Sequence, residues 1–302
     1  MKRFIYIVIS FVILFSSCGE EDLGKSLIDT STTELNEVDI WIRENYTIPF
    51  NVEVKYKWDN SEVDNTKILT PAALDNIIPF LEGMKKVWID PYFNNSDESF
   101  MKRFIPKQIV LVGSHNYNDN GSIVLGQAEG GRKITIFDLN YINFNLEGLE
   151  PHERSFNYRN ILRVFRTMHH EFGHILHQTV AYPVEYAKIT TEYTSNWMNF
   201  YDSQARKKGF ITGYSMLNPD EDFVEMLSHF LTMSNEDWNE QIDNIKIYDD
   251  NYDVDIEASK VPKAALRNKE KIIADYMLQI WGIDIYKLQA EIAVLLEELE
   301  GK

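Results

Sequence analysis

Met168-His169-His170-Glu171-Phe172-Gly173-His174-Ile175-Leu176-His177 is the stretch whose reading decides the rest of the chain. It contains His-Glu-x-x-His. Residues four apart on a helix share a face one turn apart, so His170 and His174 can aim imidazole nitrogens at a single ion. Glu171 sits beside them, where its carboxylate can take a proton from a water whose pKa a bound zinc lowers toward neutrality. The helix is signalled upstream as well. From Tyr158 onward, Ile161, Leu162, Phe165 and Met168 recur at helical spacing with no Pro or Gly among them. Gly173 costs such a helix about 1 kcal/mol relative to Ala, which predicts a neighbouring backbone packed closely against it.

A catalytic zinc usually has three protein ligands and one open position, so two histidines require a partner. The metzincin pattern fails, because His177 and Val180 stand where it needs Gly and His. His177 lies one turn past His174, and a straight helix does not wrap three residues around one ion; packing, or a hydrogen bond to a ligand imidazole, is its expected role. His169 points about 100 degrees away from the pair, toward helix surface or core. The remaining candidate is Asn218-Pro219-Asp220-Glu221-Asp222-Phe223-Val224-Glu225-Met226-Leu227-Ser228-His229-Phe230-Leu231, a second helix whose start is marked by Pro and acidic residues. Glu221 projecting from it can complete a His2Glu site, and Glu225, one turn on, can hold a ligand imidazole through its other nitrogen. Acidic residues at a helix start also offset the helix dipole without any metal. Asp222, about 100 degrees round the helix from Glu221, is expected to face away and to tolerate Asn with little change in zinc content.

Around this core the chain reads as α+β. Asn51 to Trp58 alternates apolar and polar residues as a half-buried strand does, and Thr70-Pro71-Ala72-Ala73-Leu74 predicts a helix with Pro at its first position, running toward Trp88 past Pro79. Gln108 to Gly113, Ser122 to Gly126 and Lys133 to Asp138 are three further short strands, the last two parted by Glu129-Gly130-Gly131-Arg132 as a hairpin. The expectation is a zincin-like unit: a small mixed sheet of about four strands and the active-site helix in an N-terminal lobe, with a strand edge beside the metal able to hold an extended peptide. Apolar stripes in Lys271 to Trp281 and Lys287 to Leu296, either side of Gly282, predict a helical C-terminal lobe. The acidic stretch Tyr248 to Asp255 lacks EF-hand spacing and reads as a solvated loop.

The start of the chain is different in kind. Lys2 and Arg3 precede an apolar run from Phe4 to Phe15, too short for a span of about 20 residues, and Ser16-Ser17-Cys18 follows. This is an export signal. It resembles a bacterial lipoprotein signal (residues 1–18), in which Cys18 becomes the lipidated first residue; Phe15 is bulkier than that pattern usually has. Gly19-Glu20-Glu21-Asp22 resembles the acidic surface-export signals of Bacteroidetes lipoproteins, within a polar tether over residues 19–37. Cys18 is the only cysteine, so Cys nucleophiles, disulfides and Cys-ligated metals are excluded from the domain, expected over residues 38–302 with its site core at about 158–231. A net charge of −17 argues against nucleic acid and against electrostatic docking to anionic lipid.

His170-Glu171-Phe172-Gly173-His174, followed by Tyr214 and Glu221-Asp222-Phe223-Val224-Glu225, resembles the gluzincin-type site of lethal-factor-like metallopeptidases, over about Arg159 to Leu231. With the lipoprotein signal, the whole chain resembles the substrate import-associated zinc metallohydrolase lipoproteins of Bacteroidetes, a zinc-binding metallopeptidase family found with TonB-dependent importers. The resemblance implies one zinc ion held by His170, His174 and Glu221. It makes Glu171 the base, has Tyr214 steady the oxyanion, and sets Glu225 behind a ligand. It further implies a peptide or protein substrate, an importer with its surface lipoprotein as partner, and a cell-surface place on the outer membrane. The alternative is a non-catalytic substrate-binding lipoprotein of an importer; the presence of Glu171 argues against it, since a retired site has no use for a base.

Overall fold

The computed structural model describes residues 34–119, 121–129, 131–144 and 148–300; the expected export signal, Cys18 and nearly all of the expected tether lie outside them. From Glu37 onward the chain packs as one unit. Among the described residues no helix is long and apolar enough to cross a membrane.

Four short strands make the main sheet: β1 (Glu53–Lys55), β2 (Gln108–Leu111), β5 (Gly126–Glu129) and β6 (Lys133–Ile136), in the order β1-β2-β6-β5. β1, β2 and β6 are parallel, while β5 returns antiparallel to β6 through the predicted hairpin and so forms the edge. The Ser122 to Gly126 strand is displaced from expectation. Only Ile123–Val124 (β4) is extended, and it pairs with Asn116–Tyr117 (β3) in a separate hairpin, leaving Gly126–Glu129 to take the sheet edge. Apolar content misled here, because β5 has one face in the cleft and needs few large side chains. The helix predicted from Pro71 begins later, as α1 (Leu74–Met84) with Ala73 as N-cap, while Pro71 bridges Val112 of the strand layer. Helical winding continues past Pro79 and passes into a π turn at Lys85–Ile89, a rare element that occurs mostly as single turns within helices.

The motif sits in α2 (Pro151–Thr179), whose entry is secured by a reciprocal capping box between Glu150 and Glu153 with Pro151 at the first position. Its inner face buries Ile161, Val164, Phe165, Met168, Phe172 and Leu176, and Phe172 meets Trp88, Tyr92 and Phe100 edge to face. Against α2 lies α3 (Pro219–Leu231), the predicted acidic helix, with the Asn218 side chain accepting from the amides of Asp220 and Glu221. At Gly173 the close neighbour is a pair of α3 side chains rather than a backbone: a Cβ there would come within 2.9 Å of Val224 and 3.4 Å of Leu227. That approach brings Glu221 to the motif. The C-terminal helices are α4 (Ile256–Trp281) and α5 (Ile285–Glu300), the former longer than its apolar stripe suggested and closed by left-handed Gly282. The acidic loop forms a small hairpin, β7 (Ile247–Tyr248) with β8 (Val254–Asp255).

Candidate active site

Two helices and one strand edge build the cleft. His170 and His174 project from α2, Glu221 from the first turn of α3, and the three offer ligand atoms within 4.8 Å of one another. Glu221 Oε2 lies 3.1 Å from His170 Nε2 and 3.4 Å from His174 Nε2, yet it is buried and aligned in a hydrogen bond with neither. Donors at about 2.0–2.2 Å from a tetrahedral zinc are themselves about 3.4 Å apart. The spacing fits that ion, and a buried carboxylate oxygen set between two imidazoles with no aligned hydrogen bond is an arrangement a cation resolves.

Each imidazole is held from behind. His170 Nδ1 is 2.9 Å from Glu225 Oε1, and Glu225 Oε2 in turn accepts from Thr212 Oγ1 at 2.7 Å and lies 3.6 Å from His229 Nε2. His174 Nδ1 is 2.9 Å from His177 Nε2. Burial disfavours an imidazolium at His170, but the Glu221 and Glu225 carboxylates on its two nitrogens outweigh this and raise its pKa to about 10. In the chain alone a proton is favoured where a cation would otherwise sit. Burial drives His229 the other way, down to about 3, so it stands neutral beside Glu225. Thr212 and His229 were not singled out by the sequence. His229 could have been, since it lies one turn after Glu225 on the same face; Thr212, on a loop, carries no such signal.

Glu171 reaches the sheet edge, where its Oε2 accepts from the Ala128 amide at 3.0 Å. Burial raises its pKa, partly opposed by His170 and His174, which makes it a stronger base than a solvated carboxylate. Tyr214, on a single 3-10 turn (Tyr214–Met216), stacks over the His170 ring at 6.0 Å and meets Trp197 edge on. Burial, and then the Glu221 charge beside it, push its phenol well up, so it stays a proton donor at neutral pH. His169, adjacent to the motif histidine, points into the core with Tyr92 Oη 3.4 Å from its Nδ1. The fold therefore brings together His170, Glu171, His174, Tyr214, Glu221, Glu225 and His177. Cys18 lies outside the described residues.

The cleft holds about 790 Å³ and is lined by His170, Glu171, His174, Tyr214 and Glu221 with Gly126 to Glu129 of the edge strand. Because the Ala128 amide serves Glu171 outside the sheet, the antiparallel alternation also turns the amide and carbonyl of Gly126 and the carbonyl of Ala128 outward. These are the backbone groups an added strand pairs with. A larger hollow elsewhere, of about 890 Å³, has none of the motif residues in its wall.

A family model described as putative zinc-binding metallo-peptidase matches residues 31–286. The crystal structure of a putative zinc-binding metallo-peptidase from Bacteroides caccae ATCC 43185 superposes with a TM-score of 0.70 at 30% identity, covering 92% of this chain and 98% of that one. No curated protein matches the chain. Over nearly its whole length, then, in fold and in sequence, the chain belongs to the zinc-binding metallo-peptidase family.

Proposed function

We propose that this protein hydrolyses peptide bonds, with His170, His174 and Glu221 holding one zinc ion, Glu171 as the general base and Tyr214 as the donor to the oxyanion. The observation that carries the reading is the convergence of three ligand atoms beside the half-buried Glu171 carboxylate and an open strand edge. Zinc, when bound, supplies Lewis-acid activation of a carbonyl and of water. The residues do the rest. Gly126 and Ala128 hold the substrate backbone extended, which sets its carbonyl over the ligand cluster. Glu171 takes a proton from water and can deliver it to the leaving amine. Tyr214, kept protonated by burial, donates to the oxygen on which charge develops. Glu225 and His177 fix the ring planes of His170 and His174.

Glu171→Gln tests the base: the variant is expected to keep about one zinc per chain and to lose digestion of a peptide library by about three or more powers of ten. Turnover near that of the parent would sink the assignment.

For the cellular setting we propose a lipoprotein anchored through Cys18 to the outer membrane, exposed at the cell surface and working beside a TonB-dependent importer. The support is the composition of residues 1–22 and the resemblance it carries. Cys18→Ala is expected to release the protein from the membrane fraction; partition like that of the parent would overturn the anchor.

A further inference from the structure

The two ends of the cleft are not alike. The polar end is bordered by Glu62, Asp64 and Glu129, with Lys67 and Lys133 paired to acids. Past His170, Glu171 and Tyr214, which border both, the cleft continues into a second hollow of about 530 Å³ whose wall includes Arg163, Arg166 and Thr167. The acids near this hollow have partners of their own. Glu225 is engaged with His170 and Thr212, Asp202 accepts the Gly213 amide, and Asp138, the charge felt near Arg163, is bound to His115 at 2.5 Å. Arg166 uses its Nε on Thr232. The Arg163 guanidinium makes no hydrogen bond or ion pair among the described residues, although it borders the hollow beside the ligand cluster.

Chain direction says which part of a substrate reaches it. β5 runs alongside α2 in the same sense: Gly126 lies against Thr167, Ala128 bonds Glu171, and Gly131 lies by Ile175. Glycine at 126 permits this approach, since a Cβ would stand 2.5 Å from the Thr167 methyl unless that side chain shifted. A strand added to the β5 edge is better bonded when antiparallel. Its C-terminal part then runs back toward the start of β5, past Thr167 to Arg163. Arg163 precedes His170 by seven residues, about 10.5 Å along the helix axis. With about 3.3 Å per extended residue and the reach of an arginine side chain, this places its charge within about three residues of the bond broken.

We propose that this hollow is a subsite for a carboxylate on the C-terminal side of the cleaved bond, read by Arg163, a proposal that rests on the peptidase assignment of the cleft. The carboxylate is either a free chain terminus or an Asp or Glu side chain, because a guanidinium recognises both by the same paired hydrogen bonds.

Quenched peptides separate the two sources. One set carries Glu or Gln at each of the three positions after the cleaved bond with an amidated end, and another carries Gln with a free or amidated end. The zinc-loaded protein is expected to favour the carboxylate in one set by roughly ten- to hundredfold in kcat/KM. Arg163→Gln should collapse that ratio and Arg163→Lys restore part of it. Arg159→Gln removes the same charge one turn earlier, from a residue bonded to Ser155, and should leave the ratio as it is. Calorimetric binding of the same peptides to Glu171→Gln gives a readout independent of turnover. A protein that cleaves peptides with no carboxylate preference, with the preference on the N-terminal side, or with one that survives Arg163→Gln overturns the subsite and leaves the peptidase reading intact. A protein that cleaves none of them, yet binds carboxylate peptides better in an Arg163-dependent way, keeps the subsite and loses the peptidase reading. Equal binding of all peptides to Glu171→Gln overturns the subsite.

Discussion

Glu221 and Asp222 are neighbours in the chain and opposites in their surroundings. Glu221 opens onto the cleft, its oxygen between two imidazoles. Asp222 faces the interior, fully buried, with Lys269 Nζ at 2.6 Å and the Tyr193 hydroxyl at 3.0 Å. Lys269 is likewise shut off from solvent; it donates to the Gly209 carbonyl at 2.8 Å and lies 4.2 Å from the Phe210 ring centre. Burial raises the pKa of Asp222 to about 6, and would raise it further without Lys269. One carboxylate is thus offered to an ion that arrives from solution, and the other is matched by a cation that arrives with α4. The difference teaches that a run of acids at a helix start is not one feature. A rotation of about 100 degrees per residue delivers adjacent charges to different partners.

Three variants test that division, from the strongest effect down. Glu221→Ala should weaken zinc binding by about a thousandfold or more in competition with a chelator, since it leaves two imidazoles and an open tetrahedron. Near-parental affinity would remove Glu221 from the ligand set.

Asp222→Asn should leave zinc content per folded chain unchanged but lower stability by about 3 kcal/mol, because it strands the Lys269 charge in the core. For a chain of this size that is a fall of roughly 5 °C in melting temperature. Pairing the change with Lys269→Met should recover most of the loss, and a scanning calorimetry trace unmoved by the single change would show the ion pair to be idle.

Glu225→Ala should be the mildest at the metal. It acts through the His170 ring, so zinc affinity or activity is expected to drop about 10- to 100-fold, with full loading at excess metal. A chelator ranking in which Glu225 outweighs Glu221 would put the assigned register of α3 out of phase.

How much of this was legible depends on the range of the interaction. The α2 motif and the α3 start were readable because helical periodicity, capping and Pro placement are local, repeating within four residues. The Tyr214 position came through resemblance, and its stacking on His170 required the fold. The edge strand was not legible. Gly126–Glu129 has little apolar content, and what makes it the edge is pairing with Lys133–Ile136 and contact with Glu171, both set by distant packing. Lys269 was equally invisible, since nothing in its own helix marks it as buried, and its partner lies 47 residues earlier by the numbering.

By itself the sequence determined the chemistry available: two imidazoles a turn apart, a glutamate between them, carboxylates on a second helix and no thiol in the domain. Those are properties of spacing and side-chain type, carried by the local geometry of a helix. Only the tertiary structure decided which carboxylate meets the imidazoles, which meets Lys269, which strand borders the cleft and which arginines line the hollow beside it. These depend on how α2, α3 and the sheet pack. The approach at Gly173 sets α3 against the motif to within a side chain's width, a long-range result that no window of sequence encodes.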